Sequence, residues 1–249
     1  MPLHPTTAAR RTCLAGSLSP EPARTPSRLR SCHHDGVRTR SQVAVAFALG
    51  LALAATSLPS VAQDRRARAH VRMVLLGDFP RRWIEPVRAA LERDLRVRAS
   101  VDAQPLPLPR AAYYRPRRRY RAERLLEFLG RRFASEARDV RVLGLTRRDI
   151  STTSEPHYDW GILGLADIGG RAAVVSSFRV RRRASPEQAL FRMTTTAVHE
   201  VGHVLGLDHC DESRCLMRDA EGTMDTVDAG DGALGPSCRA RLDEVAPLR

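Results

Sequence analysis

The chain alternates between short apolar runs and segments with helical spacing. "HVRMVLLGDF" (70–79) is a continuous apolar run of strand length, and Pro80 follows it. Trp83, Ile84, Val87, Ala90, Leu91 and Leu95 then recur at helical intervals, which predicts a helix over about 81–95. "RVRASVDA" alternates as a strand does, and "QPLPLPRAAYYRP" (104–116) is a loop because its prolines remove backbone donors. Leu125, Leu126, Leu129 and Phe133 predict a second helix near 120–136, and "DVRVLGLT" (139–146) a third strand. "WGILGLAD" and "AAVVSSFRV", joined by "IGGR", read as a hairpin near 160–180.

A long helix follows. Ser185 is its expected cap, Pro186 suits the first turn, Gln188 stands where a capping box needs it, and Gly206 stops it about twenty residues later. Beyond Gly206 the chain is rich in Gly and Asp, too short and polar for a core of its own, and closes with a short helix near Pro236–Val245. Strand–helix alternation ending in such a helix predicts an α/β fold: a mixed twisted sheet, one active-site helix and a small irregular C-terminal subdomain.

Residues 38–62, "RTRSQVAVAFALGLALAATSLPSVA", change the picture of the N-terminal quarter. Arginines, an apolar stretch and small residues at Ser60 and Ala62 make the three-part pattern of a signal peptide cleaved after Ala62. The apolar core, about Val43 to Ala55, is shorter than the ~20 residues of a membrane span. The expectation is a bacterial protein exported to the periplasm or beyond, with no stable span once the signal is gone. Residues 1–37 read as a non-native or disordered extension; the mature chain then runs as 63–206 and 207–249.

The charge is +13, and all 41 basic residues are arginine. Such exclusive use accompanies GC-rich coding and is weak grounds for any one partner. "RPRRRYR" (115–121), where Tyr120 could stack on a base, and "RVRRR" (179–183) are the densest clusters, but no helix-turn-helix, zinc-finger or RNP pattern accompanies them. A nucleic-acid partner is not expected, and the sequence has no signal for an oligomeric state.

The chemistry lies in "HEVGHVLGLDHCDESRCLM" (199–217). His199 and His203, four residues apart on a helix, project from one face and can grip one ion, while Glu200 reaches a water there without ligating the metal. Gly206 lets the chain turn back and bring His209 as a third ligand. Three neutral imidazoles around one Zn2+ leave room for a water, with Glu200 as general base, which is the chemistry of peptide-bond hydrolysis on a peptide or protein substrate.

These residues resemble the archaemetzincins, a branch of the metzincin zinc peptidases whose motif continues as C-x4-C-x-M-x17-C-x-x-C. Cys210, Cys215 and Met217 stand at the first three places. "YYRPRRRYRAERLLEFL", "GLTRRDI", "WGILGLADIGG" and "AVVSSFRV" are similar to the family's upstream segments. The resemblance implies a metzincin-like catalytic domain, with His199, His203 and His209 on the catalytic zinc, Glu200 as base, and Met217 as the methionine beneath the site; Met224 competes for that place with a poorer spacing. It also implies that "WGILGLAD" is an edge strand to which an extended peptide adds.

Seventeen residues after Met217 the family's next cysteine is replaced by Gly235, leaving Cys238 alone of that pair. Cys210, Cys215 and Cys238 then form a disulfide with one cysteine over, a degenerate second zinc site, or free thiols; the disulfide is the leading expectation in an oxidising compartment. Asp225, Asp228 and Asp231 are the nearest carboxylates in sequence. A catalytically silent zinc-binding protein of this fold is the alternative to the peptidase, followed by an arginine-rich nucleic-acid binder.

Overall fold

In the computed structural model the described residues are 11–15, 67–220 and 223–248. The predicted signal segment (38–62) lies outside them, as does most of the extension before it. Within that extension, Arg11–Ala15 is a strand, β1.

The remaining strands are β2 (His70–Leu76), β3 (Arg98–Val101), β4 (Tyr113–Tyr114), β5 (Arg119–Arg121), β6 (Val140–Thr146), β7 (Ile150–Ser154), β8 (His157–Asp167) and β9 (Ala172–Ser176). They form one mixed sheet in the order β3-β2-β6-β9-β8-β7-β5-β4. β3, β2, β6 and β9 are mutually parallel, whereas β8 runs antiparallel to both β9 and β7. The parallel strands are buried on both faces, which is why β2 and β6 are apolar runs rather than alternating ones.

Helices α1 (Ile84–Leu95) and α3 (Pro186–Val204) cover one face, and α2 (Ala122–Arg132) the other. The C-terminal segment, with α4 (Asp225–Ala229) and α5 (Pro236–Val245), has no separate core: Leu216, Met217, Leu234 and Leu242 join the one shared with α1 and α3. Arg68 binds it at the Asp243 carboxylate and at the Leu242 and Ala246 carbonyls.

α3 forms as its sequence predicts. The Ser185 hydroxyl accepts the Gln188 N–H at 3.2 Å, and Gly206 takes a positive φ of 102° to turn the chain. The capping box is only half closed, because the Gln188 amide turns instead to Asp228. The second helix starts at Ala122 rather than 120, since Tyr120 and Arg121 are drawn into β5 by pairing with Ile150 and Ser151.

β8 departs from simple alternation, with consequences for the site. Ile162 and Leu165 face the α2 side, while Leu163 and Ala166 face the α1–α3 side. The two sets are out of phase by one residue, so Leu163 and Gly164 both turn toward α3, as at a β-bulge. β8 is also not the free edge that the family likeness suggested. β7 flanks Trp160–Ile162, and β1 runs antiparallel along Ile162–Asp167, with Leu14 opposite Gly164.

Candidate metal centre

α3 presents His199 and His203 on one face, with their Nε2 atoms 2.9 Å apart. His199 Nδ1 donates to the Leu216 carbonyl and His203 Nδ1 to the Leu207 carbonyl, each at 2.8 Å. Those bonds assign the ring proton to Nδ1 and leave the lone pair on Nε2, the atom a metal takes. Burial first, then neighbouring histidines, holds the His199 pKa well below its usual value; burial brings His203 down to about 4. Both are neutral near pH 7.

The chain returns after Gly206 and places His209 beside them, so that one nitrogen from each of the three rings lies within 4.8 Å of the others. His209 Nε2 is buried with no hydrogen-bond partner, while Nδ1 lies 3.4 Å from Asp219. Unprotonated nitrogens facing one another repel, and a buried polar atom without a partner costs free energy. A cation between the three rings relieves both. Three imidazoles in tridentate array are a donor set that fits Zn2+.

Glu200 is fully buried beside the rings, and neither carboxylate oxygen has a hydrogen-bond partner. Burial pushes its carboxyl well above the usual range. Its side chain lies against Gly164: a Cβ there would fall 2.6 Å from Glu200 Cγ and Oε1. Glycine at 164 is therefore a condition for this carboxylate to lie against β8 as it does. Met217 is likewise fully buried beneath the helix, because a Cβ on Gly202 would come within 2.8 Å of its sulfur. Met224, the competing methionine, stands instead at the start of α4.

The pattern matches at sequence level too. The pattern of peptidase family M54 covers residues 105–244. The chain belongs to peptidase family M54. It is 33% identical to an archaemetzincin of Haloarcula marismortui over 56% of this chain and 80% of that one, and 30% identical to one of Haloquadratum walsbyi over 69% and 98%. The crystal structure of archaemetzincin from Methanopyrus kandleri superposes with a TM-score of 0.61 at 26% identity, over 74% of this chain and 98% of that one. By class the protein is a zinc metallopeptidase with a mixed α/β fold.

Cys210, Cys215 and Cys238 meet next to this centre, all three as free thiols with sulfurs within 4.8 Å of one another. The expected disulfide is thus not the arrangement found. Three sulfurs converge because the 210–217 turn folds over the start of α5, held by Cys210 N–H to the Met217 carbonyl. Burial, then the neighbouring thiols, pushes the Cys238 thiol far up, and burial also raises Cys210. With Gly235 in place of the family's cysteine, His209 still stands with His199 and His203.

The arginine clusters resolve into structural pairs and one cleft. Arg119 and Arg179 share the buried Asp149, a network that the sequence reading missed. Tyr120, considered above for base stacking, is half-buried with its ring 5.1 Å from that of Tyr113. Arg117, Arg118, Arg147, Arg148 and Arg181 line a cationic cleft of about 550 Å³ at the carboxyl ends of β2, β6 and β9.

Proposed function

We propose that the protein is an exported peptidase in which Glu200 takes the proton from a water poised among three imidazoles and delivers it to the leaving amine. The observation that carries this is the convergence of three imidazole nitrogens on α3 and the turn after it, with Glu200, the neighbour of His199 on that helix, buried and its carboxylate without a hydrogen-bond partner. His199, His203 and His209 would hold zinc, which when bound polarises the scissile carbonyl and acidifies water. Glu200 stays out of the ligand set, and burial raises its basicity, the direction a general base working near neutral pH needs. The Nδ1 bonds to Leu216 and Leu207 fix both rings before any ligand arrives.

The direction of the substrate is suggested by the chain itself. β1 lies antiparallel along β8 with Leu14 opposite Gly164, the residue that touches Glu200. An extended peptide in that position gains main-chain hydrogen bonds and brings a carbonyl beside the base. Cleavage after Ala62 would remove Arg11–Ala15 and leave the position to substrate. Among the described residues no helix is long and apolar enough to cross a membrane. Intact mass of protein secreted by a bacterial host is expected to give an N-terminus at Gln63; a chain retaining residues 1–62 would overturn the export reading.

Hydrolysis of a quenched fluorogenic peptide tests the activity. Turnover is expected to vanish with a chelator and return with Zn2+. Turnover that survives chelation, or none in zinc-loaded protein, would overturn the proposal.

A further inference from the structure

Gly235, where the family has a cysteine, lies at the opening of α5. A Cβ built on it would fall 1.8 Å from Glu212 Oε2 and 3.4 Å from the Cβ of Cys215. The Glu212 carboxylate therefore stands where the missing side chain would begin, and a cysteine there would carry its sulfur only one bond further. Glu212 and Gly235 are far apart in sequence; the turn through 210–217 brings them together.

We infer that Glu212 replaces the absent thiolate, so that Cys210, Cys215, Cys238 and Glu212 form a second, three-sulfur–one-oxygen site for a thiophilic divalent cation such as zinc. Three thiolates and one carboxylate carry the same negative charge as four thiolates, and both donor types ligate zinc.

Two features of the surroundings support this. The sulfur of Cys215 accepts backbone N–H groups from Gly235 at 3.2 Å and Met217 at 3.4 Å, donors that stabilise a thiolate and fix its direction. Glu212 is held at one oxygen only: Oε1 accepts the Ser237 N–H at 2.8 Å, which leaves Oε2 as the donor on the side of Gly235. Two of the three carboxylates nearest in sequence are engaged elsewhere, Asp228 with Arg192 and Gln188, and Asp231 with Arg214. A cleft of about 250 Å³ lined by His209, Cys210, Ser237 and Cys238 gives an ion a way in.

A carboxylate is a harder, weaker partner for zinc than a thiolate, so this metal should exchange more readily than one in a four-cysteine site. The site would also tie the turn carrying His209, next to Cys210, to the start of α5.

The test is metal stoichiometry and affinity of the full chain, purified with reductant and titrated with Zn2+ against a competing chelator. Two ions per chain are expected. Glu212→Gln keeps an oxygen for the Ser237 N–H and removes the charged donor; it should weaken one of the two ions by tenfold or more and leave the other unchanged. Glu212→Ala with Gly235→Cys should restore that ion at equal or tighter affinity. One ion per chain in the parent, or two ions held as tightly in Glu212→Gln, would overturn the inference. So would a disulfide among the three cysteines in protein isolated without reductant and still carrying two ions, since the second ion would then sit elsewhere.

Discussion

Replacing Glu200 by Gln is expected to lower kcat by about 10²–10⁴-fold while zinc stays bound. Gln has nearly the shape of Glu and cannot accept a proton near neutral pH. Glu200 contributes nothing to the triad of ring nitrogens, so the metal should remain. Fold stability should not fall either, because the carboxylate has no hydrogen bond to lose and is buried without a counter-charge. Steady-state hydrolysis, zinc content and thermal unfolding of the same preparation separate the outcomes. If turnover changes less than tenfold, Glu200 is not the base. If zinc is lost with activity, its role is in building the metal centre.

The second large effect is expected at Gly164, which has no side chain of its own to take part in the chemistry. An added methyl would lie 2.6 Å from Glu200 Cγ and Oε1 and 2.8 Å from Cδ, well inside van der Waals contact. Glu200 is fully buried and α3 is held from both sides, so the cheapest adjustment is rotation of that carboxylate away from the rings. Misplacing a catalytic group by about 1 Å can cost on the order of 10²-fold, and Gly164→Ala is expected to lose about that much in kcat with zinc content intact. KM should move less than kcat. A variant with activity within threefold of the parent would show that Glu200 has another place to stand.

Most of what positions the metal centre was legible in the sequence. The Ser185–Pro186 start, the helical spacing through His203 and the positive-φ glycine at 206 are local signals, and each fixes α3 without help from the rest of the chain. β2, β6 and the β8–β9 hairpin were legible for the same reason, as apolar runs bounded by turn residues. β4, β5 and β7 were not: Ile150–Ser154 is mostly hydroxylated residues, and it becomes a strand because β5 and β8 pair with it from either side.

The parts of the site that the sequence concealed are all products of tertiary placement. Alternation along "WGILGLAD" would send Gly161 and Leu163 toward α3 and Gly164 away; the phase break at Leu163 and Gly164 brings Gly164 onto Glu200 instead. The sequence reading named Asp225, Asp228 and Asp231, which closely precede the lost cysteine in sequence, as the nearest carboxylates. The carboxylate at that place is Glu212, inside the motif itself, and only the fold of the turn shows it.

The central claim is that three imidazoles close on one zinc ion beside Glu200. Anomalous diffraction from crystals of the zinc-loaded protein, collected on either side of the zinc absorption edge, addresses it directly. The account predicts a peak about 2.0–2.1 Å from a ring nitrogen of each of His199, His203 and His209, with the Glu200 carboxylate outside bonding distance. A zinc peak only among the cysteines, or one bonded to Glu200 in place of a histidine, would contradict it.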